Sequence, residues 1–328
     1  MTLLLLINAD LLRFVLKISR LYMRKFKKKP LIIVAIIVLA GVLYWTFSSS
    51  GEEQNQPIVF IDFVLVFALP ALIFDKVYHV NIDFHLFSVI ACGLGANFAA
   101  MLIAFGLGRL LGFSKATTAS MALLSMFGNT LFMGLPVLQG ILGEDIANEV
   151  ILYDQMITCV PIAFLGPFIL SYAAPSNVSL IANVFKIMKF PPFLALVAGL
   201  LAKSVEIPDF LFAPLRLFSG AVVPVALFAV GLGLGFNTVR SSYKSTALVV
   251  FLRMVVAPCF FVAFAWVFGI EFSPSYMVGL IETAMPPMVL ASAMILKAKL
   301  DSNLAISAIA VGMCFTFVVI PVIIAIFM

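Results

Sequence analysis

Two stretches of this chain place polar and helix-breaking residues among apolar neighbours. The first, SMFGNTLFMGLPV, carries Gly128, Asn129, Thr130, Gly134 and Pro136. The second, GLIETAMPPMVLA, carries Glu282 and the pair Pro286-Pro287. Asp154 beside Gln155, Arg253 and Asp62 stand in similar surroundings. The chemistry open to such a set is binding rather than bond-making. A carboxyl at Glu282 or Asp154, with Gln155 alongside, can take a proton or a sodium ion; the alternative is a structural ion pair or a carboxyl kept neutral. Arg253 can grip a carboxylate with its planar fork, or simply pair with Glu282. Asn129 and Thr130 can contact a ligand or satisfy backbone groups that a break sets free. Asp62 reads as a solvated interfacial carboxylate, and Asp154, near the start of its apolar run, has an interfacial reading too. No nucleophile motif, phosphate-cradling loop or dinucleotide fingerprint accompanies these residues. His79 and His85 share one loop without acidic or cysteine partners at ligand spacing. No metal and no cofactor are expected.

The medium that must hold these residues is a bilayer. The chain is 64% hydrophobic and 11% charged, with a mean hydropathy of +1.20, whereas soluble domains run about 45–50% apolar and about 25% charged. Its long unbroken apolar runs exclude the short alternating segments of a β-barrel. An ionisable group at mid-membrane costs about 2.5–3.5 kcal/mol, so it is expected to face a cavity or a partner. The net charge of +5 does not point to nucleic acid, because many basic residues sit at span ends and no separate soluble domain exists to bind it. Cys92, Cys159, Cys259 and Cys314 all lie in apolar stretches and read as small buried hydrophobes. Asp10 and Arg13 interrupt the first apolar stretch, which argues against a cleavable signal peptide.

A span needs about 20 apolar residues. Ten are expected, at roughly 31–48, 58–75, 86–110, 116–142, 150–173, 190–205, 218–236, 245–268, 275–296 and 304–328. Basic residues mark cytoplasmic loops. Arg109 and Lys115, Lys186 and Lys189, Arg240 and Lys244, and Lys297 and Lys299 lie on one side; the other side carries Lys76, Lys203, Arg216 and the acidic GEDIANE of residues 143–149. The body is therefore oriented with both termini outside. Residues 1–30 pull the other way through RKFKKKP, and their stripe of Asp10, Arg13, Lys17, Arg20 and Arg24 at spacings of three and four suggests an interfacial amphipathic helix.

The halves echo each other. ALPALIF and VPVALF place Pro70 and Pro224 154 residues apart; LGFS and FGIEFS place Gly112 and Gly269 157 apart; GLP and AMPP lie 150 or 151 apart. Five spans per copy inverts the second copy. The expected organisation is a basic extension (1–30), a first five-helix repeat (31–173), a short connection (174–189) and a second, inverted repeat (190–328). Spans 4 and 9 are then a matched pair of Gly/Pro-interrupted helices, the feature that marks a midplane site in inverted-repeat proteins. Irregular backbone at that depth is tolerated only where it is buried or lines a wet cavity, and a half-helix N-terminus offers partial positive charge to an anion. The glycines of GLGLG (231–235) read as close helix packing.

FALPALIF, GNTLFMGLP, FPPFLALVAGLL, VPVALFAVGLGL and AMPPMVLASA together resemble the auxin efflux carrier family in its bacterial branch, over roughly residues 31–328. The resemblance implies an all-α membrane protein: ten transmembrane helices in two inverted repeats, with broken, crossing helices 4 and 9, as in bile-acid/sodium symporters and sodium/proton antiporters. It implies a secondary transporter of small organic anions, malonate and related carboxylates among those proposed for bacterial members. Carried over by position, Asn129, Thr130 and Pro136 fall in the first crossover element and Pro286 and Pro287 in the second. Glu282 matches coupling-ion ligands of related folds in position only. The first 30 residues have no counterpart in the family, and the short 5/6 connection lacks the long hydrophilic loop of plant members.

The sequence thus leads to a multi-pass protein of the cell (inner) membrane. A bundle of spans 3, 4, 5, 8, 9 and 10 would work against a scaffold of spans 1, 2, 6 and 7 that is also a candidate homodimer contact. Gly128, Asn129, Thr130, Gly134, Pro136, Pro286, Pro287 and Arg253 form the candidate substrate site, and Glu282, Asp154 and Gln155 the candidate site for a coupling proton or sodium ion. A cation antiporter on the same architecture is the alternative, though it usually needs paired acids at the crossing. An intramembrane enzyme is disfavoured for want of a His, Ser or Asp constellation.

Overall fold

The computed structural model describes residues 64–173, 188, 190–222, 224–225, 228 and 239–328. Residues 1–30, the expected first span, Asp62, nearly all of the 174–189 connection and most of the expected seventh span, GLGLG included, lie outside the described residues. Among the described residues every regular element is helical, and extended pairing is confined to one isolated antiparallel bridge.

In chain order the α-helices are α1 (Leu69–His79), α2 (Phe84–Leu110), α3 (Lys115–Met126), α4 (Leu135–Leu142), α5 (Ala147–Asp154), α6 (Val160–Ser171), α7 (Pro191–Ala202), α8 (Ala213–Ser219), α9 (Val239–Phe251), α10 (Ala257–Val267), α11 (Pro274–Thr283), α12 (Val289–Lys297) and α13 (Ser302–Phe327). Some join into longer runs. Among the described residues four helical runs are long and apolar enough to cross a membrane: Phe84–Leu110, Glu144–Ser171, Val239–Val267, which kinks at Ser242, and Ser302–Phe327. These coincide with the expected spans 3, 5, 8 and 10. The fifth starts early, because the acidic GEDIANE segment is already helical from Glu144. α7, at 12 residues, reaches about 18 Å at about 1.5 Å per residue, short of a hydrocarbon core about 30 Å thick.

Prolines explain where these helices loosen. π-helical turns occupy Val64–Ala68, Thr130–Gly134, Gln155–Cys159 and Leu252–Val256. Each is followed at the second position of the next helix by Pro70, Pro136, Pro161 or Pro258. A proline ring collides with the carbonyl four residues earlier. Those carbonyls belong to Val66, Phe132, Ile157 and Met254, the middle residue of each turn. One wide turn relieves the clash, and such turns gather at functional sites. Pro167 and Pro321 sit inside α6 and α13 with no π turn, so the clash has other remedies.

The two halves share local construction at the positions where the sequence echoes. α2 ends on Gly112 at φ 72° and α10 on Gly269 at φ 63°, backbone that glycine adopts without strain. Both close with the same reversed hydrogen bonds: Phe113 N–H to Gly108 O and Gly112 N–H to Arg109 O, then Ile270 N–H to Ala265 O and Gly269 N–H to Trp266 O. A serine opens the next helix each time, Ser114 accepting from Thr117 N–H and Ser273 from Tyr276 N–H.

In packing, α2 lies against α3, α10 and α11, and α9 lies against α13. α7 and α8 pack on α1, which meets the remainder chiefly through α5. The C-terminal end of α1 is tied by Lys203, whose Nζ donates to Tyr78 O (2.9 Å) and Val80 O (2.6 Å). His79 and Arg216 flank the buried Asp75 at 3.3 and 3.4 Å. His85 lies at the start of α2, 3.2 Å from Glu271 O.

Candidate functional site

The expected interruptions in spans 4 and 9 are present, and they meet. α3 stops at Met126 and the chain resumes helix at Thr130; α11 stops at Thr283 and resumes at Val289. Between the breaks Asn129 N–H donates to Pro286 O (2.7 Å) and Met288 N–H donates to Phe127 O (2.9 Å), around the bridge pair Gly128 and Pro287. This is the non-hydrogen-bonded site of an antiparallel pair, where backbones come closest. The pattern accounts for the residue types. Pro287 occupies a position that calls on no N–H of its own, and Pro286 supplies only a carbonyl. A break thus satisfies part of its freed backbone with the other break.

Four helix ends converge here, and they are treated differently. Arg253, fully buried in the π turn between α9 and α10, serves the C-terminal ends. Its Nη1 donates to Met126 O (3.0 Å) at the end of α3; its Nη2 donates to Glu282 O (3.0 Å) and its Nε to Met285 O (3.1 Å) at the end of α11. Nη1 also donates to Asn97 Oδ1 of α2 (2.5 Å). The last carbonyls of a helix have no intrahelical partner and carry its negative end, so one guanidinium satisfies and neutralises two helix ends. The N-terminal ends lack this treatment. Neither Asn129 nor Met288 gives a side-chain cap to the helix it precedes, in contrast to Ser114 and Ser273 at the outer ends of the same two spans.

The first N-terminal end is tied to α5 and the π turn that follows it. Thr130 donates to Asp154 Oδ1 (2.5 Å), and Gln155 Nε2 donates to Asp154 Oδ2 (2.8 Å). Thr130 Oγ1 also lies 3.0 Å from Thr158 Oγ1. Asp154 is buried inside the protein, with both oxygens served. We expect Thr130→Val to lower stability by about 1–3 kcal/mol, the cost of leaving a buried acceptor unserved. A melting curve in detergent reads this, and a variant that melts with the wild type contradicts it.

Glu282 is the exception. It is fully buried, yet neither carboxyl oxygen has a hydrogen-bond partner among the described residues. Arg253 reaches its backbone carbonyl, not its carboxyl. The carboxyl is pressed against Gly134, where a Cβ would overlap both oxygens. Asn129 Nδ2, Gln155 Oε1 and the hydroxyls of Ser120 and Ser125 are likewise buried and unpartnered.

The structure brings Gly128, Asn129, Thr130, Gly134, Asp154, Gln155, Arg253, Glu282, Pro286 and Pro287 around one junction; Pro136 lies in α4, two residues beyond Gly134, and Asp62 is outside the described residues. Sequence reasoning missed Asn97, Thr158 and Tyr153. Asn97 was legible as an amide in an otherwise apolar span. Tyr153, fully buried, sends its hydroxyl across to Gly279 O (3.3 Å) and occupies the space beside Gly93.

A family model described as membrane transport protein matches residues 28–324. The chain is 28% identical to an uncharacterized transporter of Methanothermobacter thermautotrophicus over 296 residues, covering 88% of this chain and 94% of that one. It is 25% identical to an uncharacterized transporter of Methanocaldococcus jannaschii over 305 residues, covering 88% of this chain and 95% of that one.

Proposed function

We propose, from the premise that this chain belongs to the membrane transport protein family, that it is a secondary transporter carrying a small organic anion across the cell membrane by alternating access. One observation carries the reading. Two broken helices meet with their C-terminal ends neutralised by a fixed cation and their N-terminal ends left without side-chain caps. Such N-termini are anion sites, each worth about 0.3–1 kcal/mol and more when partly buried. A carboxylate of the substrate would sit there, with the unpartnered Asn129 amide as a specific donor. Gly128, Gly134, Pro136, Pro286 and Pro287 shape the break, and Arg253 positions it. The coupling ion, a proton or sodium, belongs with Glu282, Asp154 and Gln155. The matched glycine and serine devices support an inverted duplication, and the separate packing of α1, α7 and α8 supports a scaffold, which in a homodimer would form the contact.

Carboxylates screened by thermal shift, with and without sodium at two pH values, test this. At least one should raise the melting temperature, and Asn129→Ala should weaken its binding about tenfold, or about 1.4 kcal/mol. Wild-type affinity in that variant would remove Asn129 from the site.

A cation antiporter remains the second reading, and the burial of Asp154 favours it more than the sequence did: two acids, not one, flank the junction. Sodium-driven proton flux in liposomes without any carboxylate would select it.

A further inference from the structure

We propose that the coupling ion is a proton, carried by the Glu282 carboxyl, and that this carboxyl is a tethered competitor for the place where the substrate's carboxylate binds. The proposal rests on the anion-transport reading and assigns its coupling.

The two acids are in unlike environments. Asp154 has a donor on each oxygen, Thr130 on one and Gln155 on the other. Glu282 has none among the described residues and no solvent exposure. The groups whose charge reaches it are Arg253 from the π turn between α9 and α10 and Asp154 from α5; the neutral Tyr153 phenol is also nearby. Of the other titratable groups on elements packed against α11, Glu149 accepts from Ser275 at the opposite end, His85 lies by Glu271, Cys259 is exposed and Arg109 lies over Phe105 at the far end of α2, while Cys92 of α2 is a buried thiol on the Tyr153 side. Arg253 spends four hydrogen bonds on neutral acceptors, and Asp154 is the acid whose donors support a negative charge. An ionised Glu282 would then be a second buried anion without a donor, which is far costlier than a neutral carboxyl. In this closed arrangement Glu282 holds its proton.

Its position makes that proton consequential. The carboxyl lies against Gly134, at the end of the first helical turn after the break, within the short range over which a helix N-terminus acts on a charge. When the site opens to water the Glu282 O–H bond breaks, the electron pair stays on the carboxylate and the proton passes to water. The carboxylate then competes with the substrate's for the first of these N-termini, the one that runs from Thr130 past Gly134. An anion binds well only while Glu282 is protonated, so anion and proton cross together in one direction. The glycine allows this contact, because any side chain at 134 would displace the carboxyl.

Infrared spectroscopy of the purified full-length protein at pH 7 tests the assignment without a substrate. The wild type should show the carbonyl stretch of a protonated carboxylic acid, shifted by carboxyl-13C labelling of glutamate and not of aspartate, lost in Glu282→Gln and kept in Asp154→Asn. Because the labelling uses the wild type, a variant that fails to fold does not obstruct it. No such band, or a band that follows the aspartate label, overturns the proposal. The anion reading fails separately, if no carboxylate in the screen shifts melting. With malonate as the probe in proteoliposomes, Glu282→Gln should lose accumulation driven by a pH gradient; accumulation at the wild-type rate also overturns the proposal.

Discussion

Arg253→Gln is expected to be among the most damaging single substitutions in the chain. The guanidinium serves Met126 O, Glu282 O, Met285 O and Asn97 Oδ1 from a fully buried position. A glutamine amide is shorter and has two donors, so at least two of these acceptors lose their partner. Each orphaned buried acceptor costs about 1–3 kcal/mol. Two helix ends also lose the positive charge that balances them, a further contribution of about 0.3–1 kcal/mol each and more when buried. The sum is a large part of a typical stability of about 5–15 kcal/mol. The variant should melt far below the wild type or fail to accumulate in the membrane. Arg253→Lys should recover only part of the loss, since an ammonium keeps the charge without the fork. If Arg253→Gln folds and melts like the wild type, and loses only ligand binding, the residue is a substrate contact and not the brace assigned here.

Gly128→Ala is the second large effect, and it comes from crowding. A methyl at this position would overlap the Arg253 guanidinium, meeting Nη2, Cζ and Nε first. The tip of a long side chain ordinarily moves aside, but this one is held by four hydrogen bonds. Overpacking in a tight site costs about 1–3 kcal/mol. The opposite residue, Pro287, lies on the other broken segment, so the pair would also be forced apart. The two substitutions should not add. With Arg253 already replaced by glutamine the collision is gone, and the coupling between neighbours in contact runs to about 0.5–3 kcal/mol. Melting temperatures of the wild type, both single variants and the double variant give that coupling. Additive losses would mean that Gly128 is not held against Arg253.

The legible part of this fold was the part set by local rules. The breaks at 127–129 and 284–288 follow from Gly128, Pro286 and Pro287, and long apolar runs announced the four long helical runs found among the described residues. The positive-φ glycines and the capping serines also left clear marks. What the sequence could not convey was partnership across distance. Arg253 was open to two readings, as a grip on a carboxylate or a mate for the Glu282 carboxyl, and the structure gives it to backbone carbonyls and Asn97, acceptors that no sequence pattern advertises. Asp154 read as interfacial because it lies near the start of an apolar run, but that helix begins earlier than hydropathy implies, which carries Asp154 inward to Thr130. The π turns were readable in principle from Pro70, Pro136, Pro161 and Pro258. Pro167 and Pro321 show why the reading is incomplete: the same residue in the same kind of helix opens no wide turn there.

The central claim is that a negatively charged solute is held by the first backbone N–H groups of the two inner half-helices, with Arg253 bracing them from behind. Solid-state NMR dipolar recoupling tests it directly, using the 13C-carboxylate of the strongest ligand from the thermal-shift screen and protein labelled with 15N at threonine, valine and arginine. The account predicts that the ligand carbon dephases the backbone amides of Thr130 and Val289 and leaves the Arg253 guanidinium unaffected. A ligand close to the guanidinium, or far from both amides, would contradict it.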